Sequence, residues 1–220
     1  MNDACKISET LLASGHRAVI LENSSTSVTL LPEKGAEIYS LVYKPRAMDV
    51  LWKSPWGLTA RGTGFAFAGG NTEAAWMDQY GGGWQEIFPN GGAACVYKNA
   101  PLNFHGEASI QAWDYTVQKH ASSCVAVELT VALRRSPFRI HRTVIVERNL
   151  AGLQIQESIV KRAKKTCITC GTPSRARRSV SQRDCVLSVP ARTFVNHSLE
   201  ISPSAQIPAE VRGTMAAGRG

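Results

Sequence analysis

A chain of 220 residues can bury the core of one sizeable domain, and its 44% hydrophobic content is ordinary for a globular protein. No apolar run approaches the roughly 20 residues that a membrane-spanning helix needs, which excludes a helical membrane protein and a membrane partner of that kind. The formal charge of +8 invites a nucleic-acid reading, but its distribution argues against one. Seven basic residues (Lys161, Arg162, Lys164, Lys165, Arg175, Arg177, Arg178) lie between 161 and 180 with no acidic residue among them. Outside them 18 basic residues face 17 acidic ones, so the basicity belongs to one segment and not to the fold.

The opening residues Met1-Asn2-Asp3-Ala4-Cys5-Lys6 lack a basic stretch followed by an apolar one. A secretory signal is therefore not expected, and the expected location is cytoplasmic. Six cysteines (Cys5, Cys95, Cys124, Cys167, Cys170, Cys185) are then read as reduced thiols rather than a disulfide framework. The sequons at Asn23 and Asn196 carry little meaning in such a protein.

In chain order, residues 17–21, 27–31 and 37–43 are apolar or β-branched runs separated by turn-formers, and read as short strands. Residues 54–94 are rich in glycine and aromatics, with one predicted short helix over 72–80, N-capped by Thr72 and with Glu73 in its first turn. A three-strand meander follows. Over 124–133 the positions Val125, Val127, Leu129, Val131 and Leu133 alternate with polar ones, the period of a half-buried strand. Residues 138–147 repeat the pattern through Phe138, Ile140, Val144 and Val146. Arg142 interrupts that face and must snorkel or find a carboxylate. A turn with Asn149 and Gly152 leads to a third strand over 153–160. Short strands joined by short turns predict an all-β antiparallel sandwich in a single domain over 1–220.

The informative stretch is Gly81-Gly82-Gly83-Trp84-Gln85-Glu86-Ile87-Phe88-Pro89-Asn90-Gly91-Gly92, followed by Asn103-Phe104-His105-Gly106-Glu107 and Trp113. Aromatic faces, amides, carboxylates and a histidine together suit a sugar. Pyranose C–H faces pack on rings, while Gln85, Glu86, Asn90, His105 and Glu107 offer partners to hydroxyls that would otherwise be buried unpaired. Taken singly, Trp84 and Trp113 are more often core residues, His105 is more often structural, and Gly-Gly-Gly is merely a loop without the lysine of a phosphate-binding motif.

The pair Trp-Gln-Glu-x-Phe-Pro-Asn and Phe-His-Gly-Glu resembles the aldose 1-epimerase (galactose mutarotase-like) superfamily, in its poorly characterised bacterial branch. The opening Leu30-Leu31-Pro32-Glu33-Lys34-Gly35-Ala36-Glu37-Ile38 and the meander's end at Glu157-Ser158-Ile159-Val160 fit as well. The resemblance covers residues 15–160 and, less closely, 182–205. It implies an antiparallel β-supersandwich, incomplete at its C-terminus, with a small-molecule sugar bound across one face by Trp84, Gln85, Glu86, Asn90, His105, Glu107 and Trp113. It also implies anomer interconversion by an acid and a base with no cofactor and no metal. His105 is the one catalytic candidate found, because the family's downstream histidine and glutamate are missing where expected.

In their place stands the aberrant basic segment over 161–181. Regrouping possible codons of Lys164 to Ser179 by one frame permits a Trp, a His-Pro and a Pro-Phe like those of the family. A local reading-frame slip is the expectation there, with a divergent basic loop as the alternative. Cys167-x-x-Cys170 lacks a second ligand pair for zinc. The Arg/Lys cluster lacks the interleaved aromatics of a nucleic-acid site. Strand-like sequence returns over 182–205, and 206–220 reads as an irregular tail. Family members continue past this length, so the last strands of the sandwich and the carboxylate base are expected to be absent. The sequence thus predicts a sugar-binding, epimerase-like chain of little or no turnover. A non-catalytic sugar-binding module and a basic nucleic-acid-associated protein are the alternatives.

Overall fold

A computed structural model describes residues 4–63, 71–162 and 192–200. The basic segment beyond Arg162, the CxxC pair, Cys185, the strand-like sequence before residue 192 and after residue 200, and the irregular tail therefore lie outside the described residues.

Two five-stranded antiparallel sheets make up the framework. The first runs in chain order through β1 (Lys6–Leu11), β2 (Arg17–Glu22), β3 (Thr26–Leu31), β4 (Glu37–Tyr43) and the short β5 (Met48–Asp49). The second begins with β8 (Asp114–Ala121), β9 (Cys124–Ala132), β10 (Phe138–Glu147) and β11 (Gly152–Lys161), and ends on β12 (Arg192–Glu200). Between them the described residues form one α-helix, α1 (Thr72–Gln79), and a two-stranded ribbon of β6 (Cys95–Tyr97) and β7 (Ala100–Leu102).

The meander follows its sequence pattern closely. Val125, Val127, Leu129 and Val131 of β9 share one buried face with Phe138, Ile140, Val144 and Val146 of β10 and with Leu153 and Ile155 of β11. That face meets Val19 and Leu21 of β2, Val28 and Leu30 of β3, and Ile38 and Leu41 of β4 in one continuous apolar cluster. The strands pair as a sandwich because each alternation puts its apolar half on the inner side.

Two details differ from expectation. The helix is capped by Asn71, whose side chain accepts from the backbone N–H groups of Glu73 and Ala74, each at 3.1 Å. Thr72 lies inside the first turn, and its Oγ1 accepts from Phe104 N at 3.0 Å. Strand β8 was not foreseen, because only Tyr115 and Ala121 among its apolar residues are even half-buried, and a bulge between Val117 and Lys119 breaks its alternation. Among the described residues Cys5 and Cys124 are reduced thiols.

Candidate functional site

The glycine-rich motif is laid against the edge of the first sheet by backbone pairing. Ile38 N donates to Trp84 O at 3.0 Å and Trp84 N returns a bond to Ile38 O at 2.9 Å. Gly83 N donates to Trp52 O at 2.8 Å. The second motif closes on the first: Glu107 N and Ala108 N both donate to Phe88 O at 3.0 Å, and His105 N donates to Gly92 O at 2.9 Å. Gly106 is required at this crossing. Its φ is +80°, and a Cβ there would stand 2.3 Å from Phe88 O. Strand pairing and one close glycine contact thus bring the two motifs, 20 residues apart, into one unit.

Beside this unit opens a cavity of about 420 Å³, within the size range of small-molecule sites. Trp76, Phe104, Gln85, Ser109 and Lys34 are among its lining residues, with His16, Thr72 and Asn103. Trp76 stacks on Tyr80 with centroids 4.7 Å apart and meets Phe104 edge-on at 5.6 Å, so a packed aromatic group forms part of the wall. Three lining residues keep a buried polar atom with no protein partner: Trp76 Nε1, Gln85 Oε1 and Ser109 Oγ.

The predicted site residues separate into two groups. Gln85 lines the cavity, and its Nε2 donates to Glu37 Oε2 at 2.7 Å. His105 stands next to the wall, edge-on to Trp76 at 4.6 Å between centroids, but is not among the lining residues. Its Nδ1 accepts from Gly92 N at 2.9 Å, which fixes the neutral tautomer with the proton on Nε2. Burial lowers its pKa, slightly offset by Glu73. Its φ of +59° is uncommon for a non-glycine residue and is held by the bonds on either side. Trp84 is half-buried and packs against the core.

Four predicted residues are committed to the framework instead. Glu107 is 5% exposed. Its Oε2 accepts from Arg134 N and Arg135 N at 3.0 and 2.9 Å, and its Oε1 accepts from Ser136 N and Ser136 Oγ at 2.8 and 2.7 Å. A carboxylate so filled holds the β9–β10 turn and has little left for a sugar. Trp113 is 3% exposed, donates Nε1 to Ala108 O at 2.9 Å, and packs in the core. Asn90 is likewise buried, its Nδ2 donating to Ala93 O and Asn103 O at 3.1 Å each.

Glu86, the fourth, answers the question posed by Arg142. That arginine is 2% exposed inside the sandwich, and its guanidinium pairs with Glu86 through Nη2 and Glu157 through Nε. It also lies 5.6 Å from the centre of the Trp113 ring. Burial pushes Glu86 up to about 7, against the pull of Arg142 and with the help of neighbouring Glu157. The second carboxylate on the same buried guanidinium favours the protonated form of Glu86.

Sequence reasoning missed Glu37, Lys34, Trp76 and Ser109. Glu37 is fully buried, and Lys34 pairs with its Oε2 across one turn. The only signal was a charged pair three residues apart in what reads as a turn. Among the described residues no group of three metal-ligating side chains occurs.

No family model matches the sequence, and no curated protein matches it significantly. Solved structures do. A galactose mutarotase-like protein from Clostridium acetobutylicum aligns with a TM-score of 0.51 and 12% identity, over 71% of this chain and 49% of that one. A candidate aldose 1-epimerase from Klebsiella pneumoniae aligns with a TM-score of 0.53 and 12% identity, over 71% of this chain and 43% of that one. The chain thus spans less than half the length of either. The antiparallel sandwich described here has the galactose mutarotase-like fold.

Proposed function

We propose that this chain binds a sugar in the cavity between α1 and the two motif loops, and interconverts sugar anomers weakly or not at all. The observation that carries this reading is the wall itself. Trp76 and Phe104 offer apolar ring surface, while Trp76 Nε1, Gln85 Oε1 and Ser109 Oγ are buried polar atoms without protein partners. Such atoms are costly unless something polar completes them. A polyol with one apolar face supplies donors, acceptors and ring contact together. The fold adds support, since the Klebsiella protein is described as a candidate aldose 1-epimerase.

Anomer interconversion needs an acid at the ring oxygen and a base at the anomeric hydroxyl. The ring opens, the carbonyl end turns, and it closes on the other face. Of the described residues His105 carries an Nε2 proton suited to donation, but the cavity wall does not include it. His16 does line the cavity, where burial and Lys34 lower its pKa against the pull of Glu33, which also lines the wall. Weak turnover is proposed because the downstream histidine and glutamate that the family resemblance implies are missing where the sequence would place them.

Titrating D-galactose, D-glucose and related free sugars by NMR, with mutarotation followed in the same tubes, tests the reading. Saturable binding with a mutarotation rate close to that of buffer is expected. Replacement of Gln85 by Leu should weaken binding about tenfold, the loss of one hydrogen bond in a buried site. Absence of binding across the panel would remove the reading. Acceleration abolished by His105→Ala, with binding retained, would make the chain an active mutarotase instead.

A further inference from the structure

Glu37 is the most deeply buried carboxylate beside the cavity, with no measurable exposure, although it does not itself line the wall. It stands at the start of β4, one layer behind Lys34 and Gln85, which both line the cavity. Its Oε2 accepts from both of them, from Gln85 Nε2 at 2.7 Å and from Lys34 Nζ. Its Oε1 has no partner. The first motif is built around this side chain. Gly83 has φ of +87°, and a Cβ there would come within 2.8 Å of Ile38 O and 3.1 Å of Glu37 Oε1. Only glycine lets the loop pass this close over the carboxylate.

The pairing decides which end of Gln85 is which. An ionised carboxylate can only accept, so the end of the amide that faces Glu37 must be its NH2 group. The carbonyl Oε1 is then the end left to accept a bond from a ligand, and it is one of the unpartnered buried atoms. The Lys34 ammonium is neutralised at the same oxygen, so the wall presents it as part of an ion pair and not as a lone charge.

We propose that Glu37 is a positioning residue of the cavity, which locks Gln85 with its carbonyl oxygen as the acceptor for a sugar hydroxyl. This rests on the sugar reading of the cavity. Burial raises the Glu37 pKa, against Lys34, Gln85 and Lys53, and Tyr39 and Tyr80 also sense its charge. The lock therefore tightens as pH rises through the elevated Glu37 midpoint, where the carboxylate becomes an acceptor only.

The test uses the full chain, D-galactose as probe, and the variants Glu37→Gln, Gln85→Leu and their double. Glu37→Gln should bind about tenfold more weakly, because its amide accepts either end of Gln85. Its affinity should also lose the rise with pH that the wild type shows. The double variant should bind no more weakly than Gln85→Leu alone, since the two residues act through one bond. Additive losses, or an unchanged pH profile in Glu37→Gln, would overturn the proposal and leave sugar binding intact. The Gln85 side-chain amide resonance provides a readout that needs no sugar. It should titrate with Glu37 in the wild type and not in Glu37→Gln. If that resonance behaves so but no sugar binds, the lock stands as a contact, while its role and the reading of the cavity both fall.

Discussion

Glu86 and His105 set opposing pH dependences at the residue scale. The folded chain raises Glu86 to about 7 from an ordinary 4.5, so it holds a proton that the unfolded chain has released over that interval. Stability from this group is fully present below about 4.5 and is lost as pH rises through about 7. His105 works the other way. Its pKa is lowered, so the unfolded chain binds the extra proton, and its contribution is present above 6.5 and lost as pH falls. The two act in one window below about pH 7, where Glu86 lowers Tm as pH rises and His105 raises it, and both level off above it. In thermal melts the Glu86→Gln variant should lose the Glu86 fall, so that its Tm rises more steeply with pH through that window than the wild type's. Identical Tm profiles of the two proteins there would mean that Glu86 titrates normally. Replacing Arg142 with Met should cost about 3–5 kcal/mol at neutral pH, because it leaves two buried carboxylates facing each other without a cation. The need for a partner at Arg142 was legible in the sequence as a charge on an apolar strand face. Its identity was not, because Glu86 lies 56 residues away on a loop.

At the scale of elements, periodicity located the strands whose faces differ and missed those whose faces do not. The three meander strands and β2 to β4 bury one side only, so apolar and polar residues alternate along them. Strand β1 is almost wholly exposed and β8 nearly so, and neither carries the pattern. The motif Phe-His-Gly-Glu was legible as a unit, but the roles within it were not. Spacing cannot tell a glutamate that faces a ligand from one that holds a turn, and Glu107 holds the turn at 134–136. Glu107→Gln should consequently lower stability by about 2–3 kcal/mol, since one amide end cannot accept the bonds that a carboxylate does. Hydrogen exchange at the backbone amides of Arg134, Arg135 and Ser136 should quicken together. Exchange there unchanged would show the turn to be held by its own geometry.

For the whole molecule, the link between sheets hangs on polar residues as well as on the apolar cluster. Asn23, in the turn between β2 and β3, is 3% exposed. Its Oδ1 accepts from Ser25 N and Thr26 N at 2.8 and 2.7 Å, shaping its own turn. Its Nδ2 donates to Glu147 O and Leu150 O at 2.6 and 2.8 Å, in the turn between β10 and β11 of the other sheet. One amide thus uses both its acceptor and its donors to join two hairpins more than 120 residues apart in sequence. In the sequence this residue read as a turn-former inside a sequon of little meaning. In the structure its amide is spent on four backbone groups and is closed to glycosylation. Asn23→Ala removes the partners of four backbone groups at once, and each left buried and unsatisfied is costly. We expect a loss of about 2–4 kcal/mol. Asn23→Asp separates the two halves of the role. It keeps the acceptor for Ser25 and Thr26 but sets a carboxylate against two carbonyl oxygens, so the 23–26 turn should stay protected from exchange while the β10–β11 turn opens. If both turns stay protected in Asn23→Asp, the sheets are held by apolar contact alone and the bridge is dispensable.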